Sequence, residues 1–123
     1  MPYVDGFVIP IPKKNLTKYK ALAKLACKVW MEHGALAFCE CAGDDLNTPM
    51  GMPFTKLAKT KPGETVMFSW ILYADKASRN RVNKLAMADP RIVAACKPGK
   101  MPFKVDRMAV GGFKAVVSAG FGA

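Results

Sequence analysis

Apolar and polar positions follow two different periods along the chain, and each change of period marks an element. Tyr3 to Ile11 carries Tyr, Val, Phe and Ile around one glycine and runs into Pro10 and Pro12, the pattern of a first strand stopped by proline. From Leu16 the apolar residues Tyr19, Leu22, Ala23, Ala26, Val29 and Trp30 recur at intervals of three and four as far as Gly34. This predicts a long amphipathic helix with Asn15 as its N-cap. On that helix Lys13, Lys20, Lys24 and Lys28 fall on the outer face and His33 on the apolar side. Ala35 to Gly43 predicts a second strand and Asp44 to Pro53 a loop, and Phe54 to Thr60 reads as a short edge strand. A turn at 61–64 leads into Thr65 to Tyr73, the most apolar run in the chain, which predicts a central strand. Asp75 caps a second helix ended at Ala88 by Asp89-Pro90, and Ile92 to Cys96 adds a helical turn. A basic loop, Lys97 to Arg107, leads to the last strand, Met108 to Ser118, where Gly111 and Gly112 mark a bulge or a close backbone approach.

The order is β-α-β-β-α-β, the ferredoxin-like split motif, so the expected fold class is α+β with a four-stranded antiparallel sheet covered by helices on one face. Nothing in the 123 residues separates a second unit, and residues 1–123 read as one domain. In the central strand Val66, Phe68, Trp70 and Leu72 alternate with Met67, Ser69, Ile71 and Tyr73, so both faces ask for burial. With no element left to cover the second face, the expected cover is another copy of the sheet, giving a homodimer that closes as a dimeric α/β barrel.

Composition changes this picture in two respects. Nineteen Lys plus Arg against nine Asp plus Glu leave a net charge of +10, which brings an anionic partner into consideration. Four unevenly placed cysteines do not make a disulfide framework, and with no signal peptide pattern the expected location is the cytoplasm. Charge-free stretches are too short to span a membrane, so no membrane partner is expected.

A set of short motifs carries a family resemblance: Tyr-Val-Asp-Gly-Phe at 3–7, His-Gly-Ala-Leu at 33–36, Glu-Cys at 40–41, Gly-Asp-Asp at 43–45, Pro-Gly-Glu-Thr-Val at 62–66, Phe-Ser-Trp-Ile at 68–71, Arg-Val-Asn at 81–83, Ala-Asp-Pro-Arg at 88–91, Met-Pro-Phe at 101–103, Arg-Met at 107–108 and Gly-Gly-Phe at 111–113. In this order, nearly end to end, they resemble the YbaA-like family of bacterial proteins. The resemblance implies the dimeric α/β barrel of ferredoxin-like subunits and no chemistry, since the family's function is unknown. The chain departs from the family pattern at Lys104, where members carry acidic residues after Met-Pro-Phe.

Candidate chemistry is sparse. Cys39 and Cys41 share a strand face, but a structural zinc site takes about four donors and ordinary thiols are the favoured reading, so neither metal nor organic cofactor is expected. Weak catalytic candidates are Asp5, His33 and Cys41. A Cys41–His33 pair is weighed against a packed histidine bonded to backbone, and Asp44 and Asp45 read as turn formers. Ser69 lacks a nucleophile-elbow frame and the Pro-Gly-Lys-Met stretch at 98–101 lacks a Walker sequence. Asp5, inside an apolar strand, is either half of an ion pair with Arg79, Arg107 or a cation of the second copy, or a cavity acid. The first functional reading is an unidentified small molecule bound between sheet and helices, with Trp30, Ser69, Trp70, Arg79 and Arg107 as cavity residues and enzymatic turnover left open. The alternative is weak RNA or polyanion contact through Lys20, Lys24, Lys28, Lys97, Lys100 and Lys104, for which no RNA-binding motif is present.

Overall fold

The structure is a computed structural model, and it describes residues 1–120. Its strands are β1 (Tyr3–Pro12), β2 (Ala37–Ala42), β3 (Glu64–Tyr73) and β4 (Ala109–Lys114); its helices are α1 (Leu16–His33), α2 (Phe54–Leu57), α3 (Lys76–Ala88) and α4 (Pro90–Ala95). The strands form one sheet in the order β2-β3-β1-β4, with every neighbouring pair antiparallel. β3 therefore lies between β1 and β2, and β1 between β3 and β4, which is the split arrangement the element order implies.

β1 does not stop at its prolines. It pairs with β3 through Pro12, but its pairing with β4 ends at Val8. Beyond Val8 a proline nitrogen turned to the β4 side costs no ladder bond. α1 begins at Leu16, yet the Asn15 side chain does not cap it. A 3-10 turn over Lys13–Asn15 already occupies the first amide donors, and Asn15 Nδ2 instead donates to the Pro102 carbonyl at 2.9 Å. Gly34, at φ 120°, ends the helix in a conformation that favours glycine. Asp75 caps α3 by accepting from the Ser78 amide at 2.7 Å, and Asp89 both ends α3 and caps α4 through the Arg91 amide.

The segment expected to be an edge strand is instead α2. The Pro53 carbonyl accepts from the Lys56 and Leu57 amides, and a chain that is extended at Pro53 turns directly into one helical turn. The last strand is shorter than its apolar pattern, ending at Lys114. Its register with β1 runs unbroken through Gly111 and Gly112, so the glycines mark no bulge. They mark a close approach: a Cβ on Gly112 would lie within about 3 Å of the Tyr3 ring and of the Arg79 guanidinium.

The helices α1, α3 and α4 pack on one sheet face. They bury Val82 against Tyr3, Ile71 and Tyr73 and Tyr19 against Ile9 and Met67, while Val29, Ala86 and Ile92 form a cluster between the helices. On the other face Val66 and Leu72 are buried, but Phe68 is 44% and Phe113 61% exposed. Part of the cover that the sequence pattern asks for comes from within the chain, because Phe54 of α2 sets its ring edge-on to Phe68 at 5.9 Å. Among the described residues no helix is long and apolar enough to cross a membrane.

Candidate functional site

Between the sheet and α1 lies a cavity of about 220 Å³. Its walls are almost wholly apolar: Phe7 and Ile9 of β1, Phe38 of β2, Ala26 and Trp30 of α1, and Phe103 of the basic loop. Three polar side chains enter it together. Glu40 of β2 and Ser69 of β3 are register partners, and Phe7 lies opposite Ser69 on the other side. The three thus form one row across the sheet on its helix-covered face. Tyr19, from the second turn of α1, reaches down to this row and donates its hydroxyl to Glu40 Oε1 at 2.7 Å. Ser69 is hydrogen-bonded to both Tyr19 and Glu40.

Burial sets the charge state of this group. Loss of water raises the Glu40 carboxyl above its ordinary value, against the hydrogen bonds from Tyr19 and Ser69 that hold it down. Burial, and then the bond to Glu40, raises the Tyr19 phenol strongly. A carboxyl with a raised pKa, in contact with a phenol and a hydroxyl, can hold or hand over a proton in an apolar pocket.

Next to the cavity is a second polar network. Asp5, 5% exposed, accepts from Asn83 Nδ2 at 3.1 Å and lies 3.5 Å from Arg79 Nε. Asn83 Oδ1 accepts from the Trp30 indole at 2.9 Å and from the Tyr73 hydroxyl at 3.0 Å. Arg79 in turn donates to the Tyr3 hydroxyl at 3.1 Å and lies over the Tyr3 ring. Tyr73 is raised by burial and by the neighbouring Asp5. Of the partners weighed for Asp5, the structure supplies Arg79.

Of the five residues expected to line a cavity, Trp30 and Ser69 do so. Trp70 lies on the opposite sheet face beside Phe68, because its position in β3 has the parity of Phe68 rather than of Ser69. Arg79 belongs to the Asp5 network. Arg107 clamps Glu64 with two bonds of 2.7 and 2.9 Å and donates to the Lys59 carbonyl, and it does not line the cavity although its neighbour Met108 does; that clamp lowers the Glu64 carboxyl to about 2.

The Cys41–His33 pairing is also corrected. Cys41 is opposite Phe68 in the register and so faces away from the helices, whereas His33 Nε2 lies 3.0 Å from Asp89 Oδ2 where α1 meets the α3–α4 junction. Nor is His33 bonded to backbone there: its partner is a carboxylate that Arg91, and then His33, hold well below the usual range. Asp44 and Asp45 are exposed, and among the described residues no three His, Cys, Asp or Glu side chains gather as a metal site.

Lys20, Lys24, Lys28, Lys97, Lys100 and Lys104 are all exposed. They do not form one patch. The groove beside Lys100 is lined by Lys18, Leu22 and Leu25 of α1, roughly a third of a turn round the helix from Lys20, Lys24 and Lys28.

Glu40, Tyr19 and Asn83 are the functional candidates that sequence reasoning missed. One signal was present for Glu40: in Ala37–Ala42 it has the parity of Phe38, so a strand that buries Phe38 must carry the carboxyl inward too.

The family described as a protein of unknown function, DUF1428, matches residues 2–105. Two relatives described as uncharacterized protein YbaA, from Escherichia coli K12 and from Shigella flexneri, are each 36% identical over 117 residues, covering 95% of this chain and 98% of theirs. Among solved structures, Rv0793 from Mycobacterium tuberculosis aligns with a TM-score of 0.59 at 12% identity, over 98% of this chain and 100% of that one, a likeness of fold alone.

Proposed function

The chain belongs to the DUF1428 family of unknown function, and we propose that it binds a small, largely apolar molecule between sheet and helices, anchored at Glu40. The observation that carries this reading is the Tyr19–Glu40–Ser69 group set in an otherwise apolar enclosure. An apolar pocket half open to solvent, with a partly buried carboxyl in its wall, is costly to leave hydrated, so space and acid together favour a bound occupant over simple packing. At about 220 Å³ the cavity is smaller than the ~300–1,000 Å³ that drug-sized ligands fill, so the occupant is of one- or two-ring size. It carries a hydroxyl or amine that Glu40 accepts. When Glu40 is protonated, it donates instead, and the same site then serves proton transfer to a bound carbonyl.

The subunit acts as half of a homodimer. The exposed Phe68 and Phe113 on an apolar sheet face, together with the open depression between them, support face-to-face packing with a second copy closing a barrel.

Calorimetric titration with 1-naphthol and with naphthalene tests the ligand reading. 1-Naphthol binds more tightly than naphthalene. Glu40→Gln weakens 1-naphthol by about tenfold, one hydrogen bond to a charged group, and leaves naphthalene unchanged. Ala26→Phe, which fills the space, abolishes both. Equal affinities for the two compounds, or binding that survives Ala26→Phe in a folded protein, would overturn this assignment.

A further inference from the structure

We propose that Cys39 and Cys41 form a two-thiol chelating site on edge strand β2, on the sheet face away from the helices and outside the Phe68–Phe113 depression where a second copy would pack, suited to a trivalent thiophilic centre of the arsenite class. The two residues are two apart on β2, so their side chains share a face, and their Sγ atoms lie 3.6 Å apart. β2 is an edge strand, Cys41 is exposed and Cys39 half-buried, so the pair can be reached from solvent. Glu40 between them is turned into the cavity and donates nothing here. Cys27 sits on α1 and Cys96 lines the cavity, both on the helix side of the sheet. The site does not depend on the ligand reading above.

The spacing favours chelation over a disulfide. Two residues along a strand put the Cα atoms at about 6.6–6.8 Å, the upper limit for a disulfide. Closing the bond would pull on a strand that is paired with β3 at both positions. Sulfur bonds of about 2.3 Å at a three-coordinate pyramidal centre, with angles of about 100°, place the two sulfurs about 3.5 Å apart, so these thiols, at 3.6 Å, already stand near bite distance. Zinc asks for about four donors, and no third His, Cys, Asp or Glu joins the pair among the described residues. The centre that fits completes its coordination with a single hydroxide. Arsenite does this without redox change: two As–O bonds break, two As–S bonds form, and each thiol proton leaves with a hydroxide as water.

The test is native mass spectrometry of the reduced full chain with sodium arsenite. One arsenic is expected per chain, removed by dithiothreitol and not by a monothiol of equal thiol concentration. Cys39→Ser and Cys41→Ser each weaken retention by about 100-fold, the loss of the second, intramolecular bond, while Cys27→Ser and Cys96→Ser retain it. Circular dichroism confirms the fold of each variant, and Cys41→Ala repeats the test at the exposed position. Arsenic retained by the Cys39→Ser/Cys41→Ser double variant, or no adduct on the folded native chain at millimolar arsenite, would overturn the proposal.

Discussion

At the scale of single residues, charge is handled in opposite ways at two glutamates. Arg107 clamps Glu64 and lowers it, so that its contribution to stability is present above its unfolded value and is lost as pH falls through about 2. Burial raises Glu40, so its contribution is present below its unfolded value and is lost as pH rises through the raised one. Thermal unfolding followed from pH 3 to pH 8 should separate them. Arg107→Ala raises the pH at which acid unfolds the protein, and Glu40→Gln shrinks the loss of stability between acid and neutral pH. An unchanged profile in Glu40→Gln would mean that the carboxyl is not desolvated. Asp5→Asn leaves Arg79 facing an amide and should cost about 1–3 kcal/mol, the low end for a broken buried pair because Arg79 still reaches water. The Asp5→Asn/Arg79→Gln double variant should cost less than the sum of the singles, as read by urea unfolding, and strict additivity would deny that the pair interacts.

At the scale of elements, local periods carried most of what could be read beforehand. α1 and α3 bury one stripe, β3 is mostly apolar, the cap at Asp75 stands where α3 begins, and Asp89-Pro90 ends that helix. What could not be read was long-range. Both residue sets of β3 are largely apolar, so parity alone does not tell which one meets the helices, and Trp70, expected in the cavity, belongs to the other face. Arg107 meets Glu64 across 43 positions, and no local pattern announces that. The stretch 54–60 is too short to show a period, and its single helical turn follows from the backbone of Pro53. The glycines of β4 offer a test at this scale. Gly112→Ala drives a methyl into Tyr3 and Arg79 and should cost about 1–3 kcal/mol, whereas Gly111→Ala meets Phe113 at ordinary contact distance and stays within about 1 kcal/mol. Equal midpoints in urea for the two variants would contradict the close approach.

At the scale of the whole molecule, an exposed Phe68 and Phe113 on one sheet face lead to a prediction about mass. Sedimentation at micromolar concentration should give twice 13.4 kDa, and Phe68→Lys should return it to 13.4 kDa with the fold retained. A native chain that sediments as a stable monomer would remove the barrel. The two prolines of β1 bear on how far such assembly goes. From Ile9 to Pro12 the strand has no β4 neighbour, and a strand edge without a partner strand becomes, once uncovered, a template on which further chains add and fibrils grow. Pro10 and Pro12 present no amide hydrogen along that stretch, so an incoming strand finds no donor at either position and cannot dock there in register. Self-association is thereby steered away from this edge and toward the flat of the sheet, where the proposed assembly would close after two copies, and the concentrated protein should stay clear of thioflavin-positive aggregates that Pro10→Val/Pro12→Val would begin to form.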